Sequence, residues 1–246
     1  MLFGKPIAQA KDGEDTLTVR EHLGERVFLC NGVVLSRLRG NTIYTGSYWD
    51  YLLPLPALYP NPHVLVIGLG GGTIPFQMER TYGSSINIDV VEKSSKVAEL
   101  SKAFLPQKLA ARIIIDDGAV FVAKAPPGTY DVIIVDPYKT YALPKEFASQ
   151  EFIDSAARAL SERGILAFNY ILDPSTTALM QEGMASIKRK FGVYMMAAPR
   201  ASGNRILLCS RMLTAQEISE RASDRFPDKK GAARVLAEYA SMRAFP

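Results

Sequence analysis

Three glycines at alternate positions, Gly68, Gly70 and Gly72, follow the apolar run Val64 to Ile67, and Glu92 closes the next apolar run twenty positions beyond Gly72. A turn without side chains lets the backbone come close to a ligand, and a carboxylate at the end of the next strand suits a pair of ribose hydroxyls. Two more strand-like runs end in acids: Asp116-Asp117-Gly118 follows Arg112 to Ile115, and Asp136 closes the run from Asp131 to Val135. In open α/β sheets ligands sit outside the carboxyl ends of the strands. Gly68, Gly70, Gly72, Glu92, Asp116, Asp117 and Asp136 therefore read as one nucleoside-binding crevice. Each acid also suits a helix N-cap, and for Asp116 that reading weighs the same as the ligand reading.

These residues need a scaffold that aligns strand ends, and the chain supplies its pattern. From Val64 strands alternate with helices: strands at 64–67, 86–91, 112–115, 131–135 and 164–169, helices at 74–80, 95–104, 119–124 and 151–160. The pattern predicts an α/β, doubly wound parallel sheet. Before it, segments 17–22, 26–30 and 33–38 are separated by Leu23-Gly24-Glu25 and Asn31-Gly32, which predicts a small antiparallel unit. Tyr48 to Leu58 is apolar enough for a helix but carries Pro54 and Pro56.

The C-terminal part selects among doubly wound folds. Runs 191–198 and 205–210 are joined by a link too short for a crossover helix, so they pair antiparallel. A seven-stranded sheet with such a C-terminal hairpin resembles the class I S-adenosylmethionine-dependent methyltransferase fold. The loop agrees, because the dinucleotide pattern wants Gly where Thr73 stands. On that resemblance Glu92 accepts from the ribose, Asp117 from the adenine amine, and Asp136 faces the sulfonium.

A narrower resemblance covers roughly residues 17 to 210. The hairpin from Val27 to Val34, Tyr48-Trp49-Asp50, Pro60-Asn61-Pro62 leading to Gly68, and Asp117-Gly118 with Tyr130 to Asp136 resemble the spermidine synthase family. That resemblance implies a β-rich N-terminal unit beside a methyltransferase-like core, and aminopropyl transfer from decarboxylated S-adenosylmethionine to a polyamine. The chain departs from the family where the acceptor should bind. The loop aspartate is Gly71, the second, proton-accepting aspartate is Lys139, Tyr-His-Glu is Tyr48-Trp49-Asp50, and the aromatic residue near Gly203 is absent. A Lys139 pointing inward would repel an ammonium group by several kcal/mol at low local dielectric, against about 1 in water; turned to solvent it would not.

The expectation is therefore a transferase using S-adenosylmethionine, with methyl transfer to a small non-polyamine acceptor. Asp136, Tyr138 and Lys139 form the expected catalytic group, and Tyr48, Trp49, Asp50 and Tyr141 the acceptor pocket. Asp136-Pro137-Tyr138 resembles the Asp-Pro-Pro-Tyr element of amino-methyltransferases with one proline missing. Two alternatives stand: aminopropyl transfer, with Asp50, Glu146 or Asp173 replacing the lost acids, and a non-catalytic nucleoside-binding module.

Composition sets the remaining bounds. The 246 residues carry 29 basic and 25 acidic side chains, interspersed, for a net charge of +4. That permits an anionic partner without arguing for one. Lys188-Arg189-Lys190 sits late in a helix, where cations suit the dipole, so nucleic acid is not expected. Two cysteines and two histidines offer no metal cluster, and no long apolar run suggests a membrane span or signal peptide. The expectation is a cytoplasmic protein able to form a homodimer, divided as 1–60 (β-rich unit and linking helix), 61–212 (catalytic domain) and 213–246 (helical tail).

Overall fold

The computed structural model describes residues 4–40, 42–137, 143–171, 174–197 and 203–245. Strands β1 (Lys5–Asp12), β2 (Asp15–His22), β3 (Glu25–Cys30) and β4 (Val33–Arg39) form an antiparallel meander. Asn31 and Gly32 have φ of 50° and 84°, the two positive values that a tight hairpin with the right strand twist requires. The sequence predicts three of these strands. It misses β1, whose residues are exposed or half-buried and so carry no sharp apolar alternation.

The main sheet is built from β5 (His63–Ile67), β6 (Asn87–Glu92), β7 (Arg112–Ile115), β8 (Tyr130–Val135), β9 (Leu160–Ile171), β10 (Gly192–Ala197), β11 (Asn204–Ser210) and β12 (Arg243–Ala244). Their order is β12-β10-β11-β9-β8-β5-β6-β7. Strands β5 to β9 run parallel, and β11 lies antiparallel between β9 and β10. The seven expected strands are thus joined by an eighth from the tail, where Tyr194 and Met195 pair with Ala244 and Arg243. Crossovers are made by α1 (Thr73–Tyr82), α2 (Ser95–Phe104), α3 (Gly118–Lys124), α4 (Gln150–Ala159) and α5 (Pro174–Lys190), with α6 (Ala215–Arg225) and α7 (Ala233–Ala240) in the tail. The expected helix over 48–58 is instead two short 3-10 turns, Tyr48–Leu52 and Leu55–Leu58. Pro54 and Pro56 lack the N–H groups that a continuous helix would use.

Strand periodicity separates two cores. Val64, Val66, Val90, Val132 and Ile134 face one side of the sheet, with α1, α2, the N-terminal meander and the tail. Leu65, Ile67, Val91, Ile133 and Val135 face the other, with α3, α4 and α5. The first core is continuous from Val19 and Phe28 through the sheet to Phe226 and Tyr239, so both ends of the chain share it. Phe104, fully buried at the end of α2, meets Phe28 edge-on at 6.2 Å between ring centroids. Arg26 reaches from β3 to the carbonyls of Ala103, Phe104 and Leu105 at 3.3 to 3.4 Å, a cation where the helix end is negative. Among the described residues no helix is long and apolar enough to cross a membrane.

Phe104→Ala should cost about 3–5 kcal/mol of stability, the usual price of an emptied aromatic site. Urea unfolding checks it; a loss under 1 kcal/mol would show that the meander packs independently of this ring.

Candidate functional site

The register of the parallel strands brings their carboxyl ends level. Ile67 pairs with Val91 and with Val135, and Glu92 pairs with Ile115. Beyond these pairs the chain turns into helices at α1, α2 and α3, and a cavity of about 1050 Å³ opens beneath the edge of the meander. Gly68, Gly70, Glu92, Asp117, Tyr48 and Asp136 are among its lining residues. Gly68 has φ +92° and lies where a Cβ atom would sit 2.6 Å from the carbonyl oxygen of Asp136. Only glycine fits there, because strands β5 and β8 end side by side.

Glu92 is held by backbone donors. Leu69 N–H donates to Oε2 at 2.9 Å and Ser94 N–H to Oε1 at 2.8 Å. Burial raises its pKa, and these N–H groups oppose the rise by stabilising the carboxylate. Asp117 caps α3, accepting from the N–H of Ala119 and Val120 at 3.0 and 3.2 Å, and its other oxygen pairs with Lys93 Nζ at 3.0 Å. The Lys93 partner holds its carboxyl below the usual range. The cap and the cavity-lining position thus belong to the same side chain.

Asp136 stands at the cavity floor. Tyr48 Oη donates to its Oδ2 at 2.9 Å and to Oδ1 at 3.1 Å, and Asn169 Nδ2 donates to Oδ1 at 2.7 Å. Burial of the carboxyl raises its pKa to about 7, against the pull of these two donors. The Trp49 ring lies against Tyr48 at 4.7 Å between centroids and also lines the cavity.

Three residues assigned from sequence to the ligand face elsewhere. The Asp50 carboxylate accepts from Thr45 N–H and Oγ1, Gly46 N–H and Gln77 Nε2, all at 2.7 to 3.1 Å, and is buried in the fold rather than offered to an acceptor. Asp116 accepts from the N–H of Asp117 at 2.8 Å and neither lines the cavity nor caps α3, whose N-cap is Asp117. Gly72 takes φ +90° at the N-cap of α1, against Leu69, Leu105 and Leu109. Tyr138, Lys139, Tyr141 and Asp173 lie outside the described residues.

Gly71 is tightly packed on both sides. A Cβ there would meet the Phe104 ring at 2.6 Å and Ser36 at 2.8 Å, and its N–H donates to Ser36 Oγ. The space a side chain would take is filled by packing against the meander. Residues that sequence reasoning missed come from that meander and from the far strands: Ser36 and Arg37 on β4, Asn169 on β9 and Asn204 on β11 line the cavity. An asparagine closing the otherwise apolar run from Ile165 to Phe168 is the one local signal that was available. Among the described residues no group of three His, Cys, Asp or Glu is placed to hold a metal.

Gly68→Ala should destabilise by about 2 kcal/mol or more, since a positive φ and a backbone clash coincide; thermal unfolding checks it. For Asp136 the raised pKa means that the folded protein binds a proton, between about pH 4 and 7, that the unfolded chain does not. Its contribution to stability is full below about pH 4 and is lost as pH rises through 7. Asp136→Asn lacks this dependence and should be the more stable form at pH 8, by on the order of 2 kcal/mol. Urea titrations at pH 5 and pH 8 decide it, and an equal pH response in both proteins would refute the assignment.

Comparison with known proteins places this geometry. The spermine/spermidine synthase domain matches residues 51–214. Polyamine aminopropyltransferase of Vibrio vulnificus (strain CMCP6) is 29% identical over 177 residues, covering 68% of this chain and 57% of the relative. Putrescine N-methyltransferase 1 of Nicotiana tabacum is 32% identical over 162 residues, 63% of this chain and 42% of the relative. The chain thus spans about half the length of the curated relatives it matches. In three dimensions it is similar to a probable spermidine synthase from Corynebacterium glutamicum ATCC 13032, with a TM-score of 0.74, 19% identity and coverage of 89% and 88% of the two chains. It is also similar to human methyltransferase-like protein 13 in complex with SAH, with a TM-score of 0.58, 25% identity and coverage of 76% and 89%. With the domain spanning two thirds of its length on a matching fold, the chain belongs to the spermine/spermidine synthase family.

Proposed function

We propose that this protein is a transferase that binds S-adenosylmethionine in the cavity and delivers its methyl group to a small acceptor other than a polyamine. The donor half of the reading is supported by Gly68, where any side chain would collide with strand β8, and by Glu92, whose oxygens are aimed by backbone N–H groups. Glu92 would accept from the ribose hydroxyls and Asp117 from the adenine amine. Bound there, the sulfonium supplies an electrophilic methyl carbon.

The observation that carries the acceptor half is the lining around Asp136. Tyr48, Trp49, Asn169 and Asn204 bring rings and amides to the floor, and Asp136 with a pKa of about 7 is only about half ionised at neutral pH. A diamine carries two charges and needs carboxylates close by. The nearest candidates do not serve: Asp50 is spent on Thr45, Gly46 and Gln77, and the place of a loop carboxylate at Gly71 is filled by Phe104. A neutral acceptor is served better. Its lone pair forms the bond to the methyl carbon as the carbon–sulfur bond breaks, and Asp136 takes the acceptor's proton.

One observation favours aminopropyl transfer as a second reading. Asp12, Asp15 and Glu146 also line the cavity and could compensate a polyamine.

Calorimetric affinities for S-adenosylmethionine, its decarboxylated form and methylthioadenosine separate the two. Methyl transfer predicts that intact S-adenosylmethionine binds at least as tightly as the decarboxylated form, and that Asp136→Asn lowers turnover about 10²–10⁴-fold with donor affinity kept. A tenfold preference for the decarboxylated donor, with putrescine consumed, would establish the rival. Tight donor binding without turnover on any acceptor panel would leave a nucleoside-binding module.

A further inference from the structure

Asp136 is reached by two donors, and one of them is itself held in place. Asn169, 1% exposed near the carboxyl end of β9, gives its Nδ2 to Asp136 Oδ1 at 2.7 Å. Asn204, 5% exposed at the start of β11, gives its Nδ2 to Asn169 Oδ1, also at 2.7 Å. An asparagine amide can turn over with almost no change of shape, and turned over it would aim an oxygen at the Asp136 carboxylate. The Asn204 donor blocks that turn, because it needs the Asn169 oxygen on its own side.

We propose that Asn169 and Asn204 form a positioning pair that fixes the direction of the Asp136 carboxylate and leaves Oδ2 as the atom that accepts the substrate's proton. Among the described residues Asn169 donates to Oδ1, and the single Tyr48 proton is shared between Oδ2 at 2.9 Å and Oδ1 at 3.1 Å. A carboxylate oxygen has two lone pairs in its plane, so Oδ1, with Asn169 and part of Tyr48, is the more fully occupied oxygen, and Oδ2, with Tyr48 alone, keeps a lone pair. The pair also gives the C-terminal hairpin a task in the site. Strand β11, antiparallel beside β9 in a register that sets Ile206 opposite Asn169, carries Asn204 to the end of the parallel sheet. The titratable and charged groups around the cavity are Glu92, Lys93, Asp117 and Glu146 on the main domain and Asp12, Asp15 and Arg37 on the meander. None of them bonds the carboxylate of Asp136 among the described contacts, so burial, opposed by Asn169 and Tyr48, sets its state.

The assignment of Oδ2 rests on the proposed role of Asp136 in proton removal; the pair itself does not. The test therefore reads the proton on Asp136 without turnover. Carbon-13 NMR of the carboxyl carbon, identified by its disappearance in Asp136→Asn, gives the titration midpoint of the full chain. Asn169→Leu, which keeps the shape and removes the donor, should move that midpoint upward by about one pH unit or more. Asn204→Leu should move it in the same direction by less, and the double variant should match Asn169→Leu alone, because Asn204 acts through Asn169. Asn169→Ala and Asn204→Ala carry the same comparison if a leucine variant fails to fold. An unmoved midpoint in the Asn169 variants, or an Asn204 effect that adds in full to that of Asn169, would overturn the proposal. If an acceptor is found, the acidic limb of kcat/KM should move with the NMR midpoint. Moved midpoints in a protein without turnover would sink the transferase reading and leave the pair standing.

Discussion

The structure depends on two strand ends lying side by side. Where β5 and β8 stop, Gly68 passes so near the Asp136 carbonyl that a methyl group would not fit between them. That closeness follows from the register of Ile67 with Val135, and it places the glycine turn and the Asp136 carboxyl on the two sides of one opening. Gly68 N–H still bonds Val91 and Asp136 N–H still bonds Ile67, so the ladder persists to the last residue before the turn. A crevice built this way is rigid where a ligand's charged centre would sit, and preorganised groups need no rearrangement at the moment of reaction.

The roof of the cavity is a packing result. Ser36 accepts from Gly71 N–H, Phe104 fills the place beside Gly71, and Phe28 holds Phe104 from the meander. At Gly71 the meander rests directly on the loop backbone, which leaves no room for a side chain. The same contact couples the N-terminal strands to the site, since Ser36 and Arg37 line the cavity only while β4 lies on the loop. The tail contributes from the other side, where Tyr239 Oη donates to the Tyr51 carbonyl beneath the turn that carries Tyr48.

Asp136 joins the energetics of the fold to the chemistry proposed for it. Its carboxyl is turned under Tyr48 and Asn169, and burial favours the neutral form. An acid that titrates near neutrality suits proton transfer better than one that is always ionised. The cost is stability at higher pH, the usual tension between a working site and a well-satisfied core.

The sequence by itself determined the order of strands and helices, the Gly68 turn, the acids at strand ends and the antiparallel hairpin near the C-terminus. These are local signals, carried by apolar period, by turn chemistry at Asn31-Gly32, and by capping types such as Asp117. Residues whose roles depend on a distant partner were not legible. Asp50 looked like an acceptor ligand and is consumed by Thr45, Gly46 and, twenty-seven positions away, Gln77. The packing of Gly71 against Phe104 has no local signal, and β1 and β12 lack the apolar alternation that would announce them. Only the tertiary structure decided that Asn204 bonds Asn169 and Asn169 bonds Asp136, because hydrogen bonds between strands depend on register, and register is a property of the assembled sheet.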